Sequence, residues 1–421
     1  MDKYAYMNRI ILIGNGFDLA HGLKTSYADF IDWYWNNLGE LLKCGFNNVV
    51  DDGICSFELH ENVHLACWAH VWNYHYAVFP KNADTILSIA KQDRDLCDFN
   101  IKSAFFEKIC NEVEKGWVDI EDVYYTMLKN DNNPKQLNDD LDLIKGKLIE
   151  YLIDIQEKQI NSNIFNSIIQ KQILEPFHKE DIAINSMDKW NEMLKHRMKY
   201  DNQDWNELIK GYVLDRENVQ YSYRAVEEFI KTYGKDINDD VDSVDAISCS
   251  TFRLPDNIML LNFNYTNTAD MYLPNADKFS INHIHGTISN PDSVIFGYGD
   301  ERDDDYNVLM RKNDNEYLRH IKSFRYLEAR NYREMLSFIE SAPYQICIMG
   351  HSCGLSDRTL LATLFEHENC VSIKPYYYKK EDGTDNYREL VQNIARNFKD
   401  PSLMRDRVVR KDRCEALGQK N

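Results

Sequence analysis

The chain has 421 residues, a mass of 49.6 kDa and 43% hydrophobic residues, which is enough to bury a large core in two or three compact units. Its formal net charge of −19 argues against a large nucleic-acid groove, because phosphate contacts need clustered Lys and Arg. The local basic cluster at 405–413 is expected to be a solvated C-terminal tail.

Neither a membrane span nor a disulfide framework is expected. No apolar run approaches the ~20 residues that cross a bilayer, and the first residues lack the layout of a signal peptide. The ten cysteines include no C-x-x-C pair, which is typical of reduced thiols. We therefore expect a cytoplasmic protein that does not associate with membranes.

The first predicted strand is the apolar run at 9–14. Thr25 or Ser26 is placed to cap a helix that begins near Tyr27. From about 41 to 245 strand alternation almost disappears and apolar residues recur at helical spacing. We interpret this region as a large inserted α-helical domain.

After this insertion the strand pattern returns. Strands are predicted at 258–263, 279–284, 294–296, 345–349 and 371–378. Strands that alternate with helices indicate a parallel, doubly wound α/β sheet. The nucleotide-binding domain is therefore predicted to be discontinuous. The expected parts are the first strand with its loop, the insertion, the rest of the nucleotide domain and the tail, at 1–40, 41–245, 246–400 and 401–421.

A glycine-rich turn directly follows the first strand. Glycines there let the backbone approach a phosphate, and the amides that follow can cradle the anion. The alternative is a plain tight turn, since the full dinucleotide fingerprint needs glycine or alanine where the chain has Leu19. The residues predicted to bind the ligand here are Gly14, Asn15, Gly16, Phe17, Asp18 and Gly22.

Polar residues also follow the two strands after the insertion. Asn264 can bind ribose hydroxyls or hold a water, or it can cap a turn. His283 and His285 alternate across one residue, so on a strand they point the same way. Next to Gly286 at the strand exit, His285 is predicted to be catalytic and His283 to be a buried, hydrogen-bonded support. Because ligands bind at the carboxyl edge of a parallel sheet, Asn264 and His285 are expected to share one site with the glycine turn.

The segment after the strand at 345–349 matches a hydrolase motif. Gly350, Ser352 and Gly354 fit the G-x-S-x-G elbow. A Ser-acid-His order would then need His367, because no other histidine follows. We interpret this loop instead as a nucleotide contact, in which Gly350, Ser352 and Asp357 take part and Asp357 also caps the next helix.

His60, Glu61 and His64 match the zinc-protease pattern H-E-x-x-H, which places both imidazoles on one helix face. No clear third ligand follows, so the alternative is a solvated helix face and we predict no metal site.

Asp119 and Glu121 lie two residues apart around an apolar residue. Two interpretations stay open for them. They reach from the insertion into the ligand cleft, or they belong to the cap of a helix that Trp117 anchors.

Several of these segments together resemble the bacterial abortive-infection AbiH family. They cover both ends of the chain and part of its middle, and lie at 11–23, 25–27, 117–121, 263–266, 283–286 and 350–352. The resemblance implies a role in defence against bacteriophage.

At a greater distance, the order of the motifs is similar to that of sirtuin-like domains, which include defence proteins that hydrolyse NAD. This resemblance implies that Asn264 and His285 perform the chemistry. Asn15 and Asp18 depart from the sirtuin pattern. The glycine-loop residues that the resemblance implies for dinucleotide binding are Gly14, Gly16, Gly22 and Leu23.

We therefore expect an α/β, sirtuin/Rossmann-like parallel sheet that binds and hydrolyses NAD or a related nucleotide without a metal. At an N-glycosidic bond to nicotinamide the leaving group is already cationic, so the site must stabilise an oxocarbenium-like ribose and aim a water. The alternative is a non-catalytic nucleotide sensor that acts through a protein partner. A zinc protease built on His60, Glu61 and His64 is a distant third, and a phage or host trigger and a homo-oligomeric state stay open.

Overall fold

The structure of the chain is a computed structural model. It describes residues 6–44, 49–59, 97–113, 119–131, 133–159, 164–199, 253–273 and 277–419. The chain divides into two compact units. The α/β unit comprises Met1–Gly22, Asn163–Thr287 and Tyr326–Asn421, and the second unit comprises Leu23–Ser162 and Ile288–Arg325.

The described residues form eight strands and thirteen α-helices. The strands are β1 (Asn8–Ile13), β2 (Val49–Asp51), β3 (Cys55–Leu59), β4 (Cys97–Ile101), β5 (Ile258–Asn262), β6 (Phe279–His283), β7 (Tyr344–Met349) and β8 (Cys370–Tyr376). The helices are α1 (Asn15–Ala20), α2 (Tyr27–Cys44), α3 (Ala104–Val113), α4 (Ile120–Asn130), α5 (Pro134–Gln159), α6 (Ser167–Ile173), α7 (Met187–Lys199), α8 (Asp304–Arg311), α9 (Lys322–Arg325), α10 (Asn331–Ser341), α11 (Arg358–Glu366), α12 (Tyr387–Arg396) and α13 (Pro401–Arg407). None of these helices is both long enough and apolar enough to cross a bilayer.

The α/β unit is built on a five-stranded parallel sheet with the order β6-β5-β1-β7-β8. Every residue of β1, β5, β7 and β8 is buried, as expected for a sheet covered on both faces. The connections change direction between β1 and β7. Such a switch point opens a crevice at the carboxyl ends of the strands.

The predicted parallel α/β sheet is therefore confirmed, but the strand predicted at 294–296 is wrong. Val294, Ile295 and Phe296 are buried, yet they follow the short 3-10 helix Pro291–Ser293 and pair with none of the described strands. Gly297 then takes a φ of 157°. The three apolar residues thus lie in a loop and contribute to a hydrophobic core. Periodicity alone does not distinguish such a loop from a strand.

The second unit combines helices with a three-stranded antiparallel sheet of order β2-β3-β4. The prediction that 41–245 has almost no strands is wrong for this sheet, whose strands are only three to five residues long. The predicted start of α2 is confirmed, because Ser26 Oγ accepts a hydrogen bond from the Asp29 amide at 3.1 Å.

The C-terminal residues belong to the α/β unit. Val408 forms a bridge to Ile373 in β8, Ala416 forms one to Tyr377, and Ala416 and Leu417 are buried. The prediction of a solvated tail at 405–413 is therefore wrong for Val408 and Val409, because apolar positions between the charged ones pack onto the edge of the sheet. The other predicted boundaries and the sirtuin/Rossmann likeness stay predictions.

Candidate active site at the carboxyl edge of the sheet

The loops after β1 and β7 touch each other closely at the carboxyl edge of the sheet. The Gly16 amide donates to the Gly350 carbonyl at 2.9 Å, and the Gly14 amide donates to the Met349 carbonyl at 3.3 Å. A Cβ on Gly14 would lie 2.5 Å from His351 Cα, and one on Gly350, whose φ is 80°, would lie 2.0 Å from the Phe17 nitrogen. The glycines are therefore required for loop packing.

This contact changes the interpretation of the predicted anion cradle. The Gly14 and Gly16 amides are engaged as described, and the Phe17 amide donates to the Gly14 carbonyl at 2.8 Å. Gly22, at a φ of 77°, ends the turn after α1. These three amides already donate within the protein. Binding of a ligand by this loop stays a prediction, and it would have to use other groups of the loop.

Asn264 follows β5 and is fixed against the glycine turn. Its Nδ2 donates to the Gly14 carbonyl at 3.0 Å, and its backbone amide donates to Asn262 Oδ1 at 3.0 Å. The expected asparagine turn thus exists, with Asn262 rather than Asn264 as its side-chain acceptor.

Asp18 lies buried beside Asn264. Its Oδ2 accepts a hydrogen bond from Thr266 Oγ1 at 2.6 Å, and its Oδ1 has no hydrogen-bond partner among the described residues. Burial raises the pKa of Asp18 to about 6, although hydrogen bonds from Thr266, Thr268 and Asn264 oppose the rise. This carboxyl group therefore exchanges its proton near neutral pH.

His285 lies in the turn that follows β6. Its Nε2 is 3.2 Å from Asp357 Oδ1 and 3.1 Å from the Tyr326 hydroxyl, and its side chain is buried. Its ring meets the Phe263 ring edge-on, with centroids 5.1 Å apart. The site thus presents a buried imidazole paired with a buried carboxylate.

His283 faces different neighbours from His285. Its Nδ1 is 3.2 Å from Asn262 Nδ2 and its Nε2 is 3.1 Å from Asp270 Oδ1, which are contacts suited to a hydrogen-bonded support. The predicted burial is wrong, because the side chain is only partly buried. The prediction that both histidines point the same way is wrong, because β6 ends at His283. The chain turns there, with a φ of 78° at Gly286.

Asp357 lies between two histidines. The second is His351, whose Nε2 is 3.6 Å from Asp357 Oδ2. Asp357 occupies the cap position of α11 but makes no side-chain cap hydrogen bond, so the predicted cap is wrong. The sequence interpretation missed His351 and Tyr326. His351 directly follows a buried strand and Gly350, which is the signal that selected His285, whereas Tyr326 has no such signal.

The positions of Ser352 and His367 exclude the hydrolase elbow with its catalytic triad. Ser352 follows the last residue of β7 and is exposed. His367 instead pairs with Glu340 at 3.2 Å and stacks on Tyr344, the first residue of β7, with ring centroids 6.0 Å apart. The two residues therefore lie at opposite ends of the strand and cannot form a triad.

Comparison with protein families provides the identification. A family model described as bacteriophage abortive infection AbiH matches residues 10–378, which include all strands of the five-stranded sheet from Ile10 onward and the loops at its carboxyl edge. The chain belongs to this AbiH family. Membership supports an anti-phage, abortive-infection role. Comparison with curated proteins and with solved structures finds no match.

The remaining predicted residues of this AbiH protein belong to the second unit or lie outside the described residues. Asp119 caps α4 by accepting from the Glu121 amide at 3.0 Å, so the cap interpretation is right for Asp119. The Glu121 carboxylate is paired with Lys322 at 2.7 Å and accepts from the Gly297 amide at 2.9 Å within the second unit. His60 and His64, with Glu61 between them, lie outside the described residues.

Residues from four segments thus meet at one edge of the α/β unit. The structure brings together Asp18, Asn264, His285, His351 and Asp357 through contacts that run from the glycine turn to α11. Within the described part of the chain, no group of three or more His, Cys, Asp or Glu side chains is arranged to bind a metal ion. The imidazole and carboxyl side chains at this edge can transfer protons and form hydrogen bonds.

Proposed function

We propose that this AbiH protein hydrolyses NAD or a related nucleotide at the carboxyl edge of its five-stranded sheet, with His285 as the general base. The single observation that carries the proposal is the buried His285–Asp357 pair, 3.2 Å apart, at the end of a parallel strand. Nucleotides bind at this edge in open parallel α/β sheets, and a histidine oriented by a carboxylate is a common arrangement for taking up a proton.

We infer the proton positions on His285 from this pair. A neutral imidazole carries one N–H, and the carboxylate of Asp357 favours that proton on Nε2. Nδ1 of His285 then carries the lone pair and is the basic atom. When it accepts a proton from the attacking water, the negative charge of Asp357 stabilises the imidazolium that forms.

Asn264 supplies a second contact for the substrate. Its Nδ2 is bonded to the Gly14 carbonyl, which fixes the orientation of the carboxamide. Its Oδ1 is then positioned to accept a hydrogen bond from a ribose hydroxyl or from the attacking water. Cleavage of the bond between ribose and a cationic nicotinamide requires no strong acid, so an asparagine and a histidine are sufficient for this reaction class.

A second candidate function is a nucleotide sensor that acts through a protein partner. The observation that favours it is burial, because His285 and Asn264 are only 3% and 9% exposed. A ligand that reaches them must displace the surrounding loops, and such a movement can be transmitted to a partner surface.

The experiment is a survey of nucleotides with the purified full-length protein. Wild type is incubated with NAD and with ATP, and the products are separated by chromatography. We expect free nicotinamide from NAD, and a rate lower by about 10²–10⁴ in His285→Ala, as is typical when a general base is removed. His367→Ala is the matched control, because that histidine lies at the opposite end of β7, and it should keep the wild-type rate.

Three outcomes separate the hypotheses. Turnover that depends on His285 and Asn264 supports the hydrolase. Binding without turnover, lost in Asn264→Ala, supports the sensor. Turnover that survives in both His285→Ala and Asn264→Ala, with both variants folded, contradicts the site assignment.

A further inference from the structure

Asp357 contacts two buried imidazoles, and the reaction described above uses only one of them. His285 Nε2 is 3.2 Å from one carboxylate oxygen, and His351 Nε2 is 3.6 Å from the other. The side chains of both histidines and of Asp357 are at most 9% exposed. One buried negative charge is therefore shared between two groups that can each become positive.

The protonation of His351 is constrained by its own loop. Its Nδ1 accepts a hydrogen bond from the Cys353 amide at 3.0 Å, so in the neutral ring the proton lies on Nε2 and faces Asp357. The loop reaches this geometry through left-handed backbone at Gly350 and Cys353, with φ values of 80° and 56°. His351 thus presents a fixed N–H to the carboxylate.

The two imidazoles also share one apolar wall. The Phe263 ring meets the His351 ring at a centroid distance of 4.2 Å and the His285 ring at 5.1 Å, both edge-on. Because one aromatic side chain packs against both rings, neither can turn away from Asp357 without opening the core. The arrangement of the three polar groups is therefore fixed by packing as well as by charge.

We propose that His351 is a positioning residue that shares the Asp357 carboxylate with His285, so that the two histidines are coupled through one carboxylate. One carboxylate compensates one imidazolium, and a second imidazolium would add an uncompensated buried charge. The Nε2–H of His351 faces Oδ2 of Asp357, and this leaves Oδ1 to orient His285. Its part in the reaction rests on the proposed function, whereas the coupling does not.

The other titratable groups in contact with this cluster do not obscure the coupling. Tyr326 faces His285 through its hydroxyl, and tyrosine ionises near pH 10. Burial, together with the charge of Asp357, raises the pKa of the Cys353 thiol well above its ordinary value. Neither group changes charge between pH 5 and pH 8. Asp18, whose pKa burial raises to about 6, is present in every variant compared, so differences in the His285 titration among the variants report on the shared carboxylate.

The test uses two polar substitutions that separate the nitrogens of His351. In His351→Gln the amide stands near the position of Nε2 and can still donate to Asp357. In His351→Asn the amide stands near Nδ1, so the contact with the Cys353 amide is kept and the donor to Asp357 is lost. The pKa of His285 is measured by NMR titration of the full-length protein labelled at histidine, with Asp357→Asn as reference.

We expect three results. In His351→Asn the pKa of His285 rises by about 0.5, because the whole carboxylate charge now favours its imidazolium. In His351→Gln it stays at the wild-type value, and in Asp357→Asn it falls by about 1 or more. If the protein turns over nucleotide, kcat falls in His351→Asn and recovers in His351→Gln, with KM unchanged in both.

Equal His285 pKa values in wild type, His351→Asn and His351→Gln would overturn the sharing. This result is independent of turnover. If the NMR shifts appear but no nucleotide is cleaved, the proposed function fails and the coupling stands. If nucleotide is cleaved and His351→Asn changes neither the pKa nor kcat, the proposed function stands and the positioning role of His351 fails.

Discussion

The α/β unit contains two buried polar clusters that differ in the kind of cation they use. In the cation cluster, defined by Arg9, Lys374, Glu175 and Asp181, the positive charges are permanent. Lys374 is paired with both carboxylates, at 3.4 Å from Asp181, and Arg9 donates to Gln345 Oε1 at 2.8 Å. In the histidine cluster, defined by Asp357, His285 and His351, the positive charge exists only when an imidazole is protonated.

The pKa values of two carboxyl groups in these regions are shifted in opposite directions. Burial disfavours the charged form of Glu175, but the charges of Lys374 and Arg9 outweigh it and lower the pKa of that carboxyl below its ordinary value. Beside the histidine cluster, burial raises the pKa of Asp18 to about 6. Permanent cations thus keep the Glu175 carboxyl ionised, whereas the Asp18 carboxyl at the carboxyl edge exchanges its proton near neutrality. Fixed charges suit stability, and exchangeable protons suit chemistry.

Removal of the lysine from the cation cluster should have the largest effect on stability. Lys374→Met leaves Glu175 and Asp181 buried with less compensating charge, which typically costs about 3–5 kcal/mol. We expect a loss of this size in the free energy of unfolding, measured by urea denaturation. Lys399→Met, at an exposed position, is the control and should stay within about 0.5 kcal/mol of wild type. Equal effects of the two substitutions would break the comparison.

The buried Asp18 carboxyl should make the protein less stable as the pH rises. A carboxylate paired with a cation has the opposite effect. The pKa of Asp18 is raised from the ordinary 3.8 to about 6, so between these values the folded state binds more protons than the unfolded state. The free energy of unfolding should therefore fall as the pH rises from about 4 to about 6, by about 3 kcal/mol relative to Asp18→Asn, since one pKa unit corresponds to about 1.4 kcal/mol.

Urea denaturation of wild type and Asp18→Asn across that pH range measures the difference. Thr266→Val sharpens the test, because it removes the hydrogen bond to Oδ2 that lowers the pKa of Asp18. The pH at which the loss of stability is complete should then be higher than in wild type. Parallel stability curves for wild type and Asp18→Asn would show that this carboxyl group is not buried in the way described.

The parallel sheet was predictable from sequence because its strands are continuous apolar runs. β1, β5 and β7 are buried along their whole length, so hydrophobicity alone marks them. The same rule was wrong at 294–296, where a loop is equally apolar, and it missed β2, which has only three residues. Short strands leave too few alternating positions to be distinguished from loops.

Only those residues of the site that directly follow a buried strand could be predicted from the sequence. The rule that polar residues after buried strands meet at one edge selected Asn264 and His285. It applied equally to His351, but that residue was not selected because its segment was interpreted through the neighbouring serine motif. The partner of each group was not predictable. The Asp357 carboxylate faces histidines rather than the α11 amides, because tertiary packing, and not local sequence, decides which donor a cap residue meets.

The most direct test of the central claim is the nucleotide content of phage-infected cells that carry wild type, His285→Ala or Asn264→Ala at equal levels of folded protein. NAD, ATP and their breakdown products are measured by chromatography through the infection. We predict that one nucleotide pool collapses with wild type and stays intact with both variants, and that both variants lose toxicity. Full toxicity in both variants, or unchanged nucleotide pools while wild type is toxic, would contradict the account.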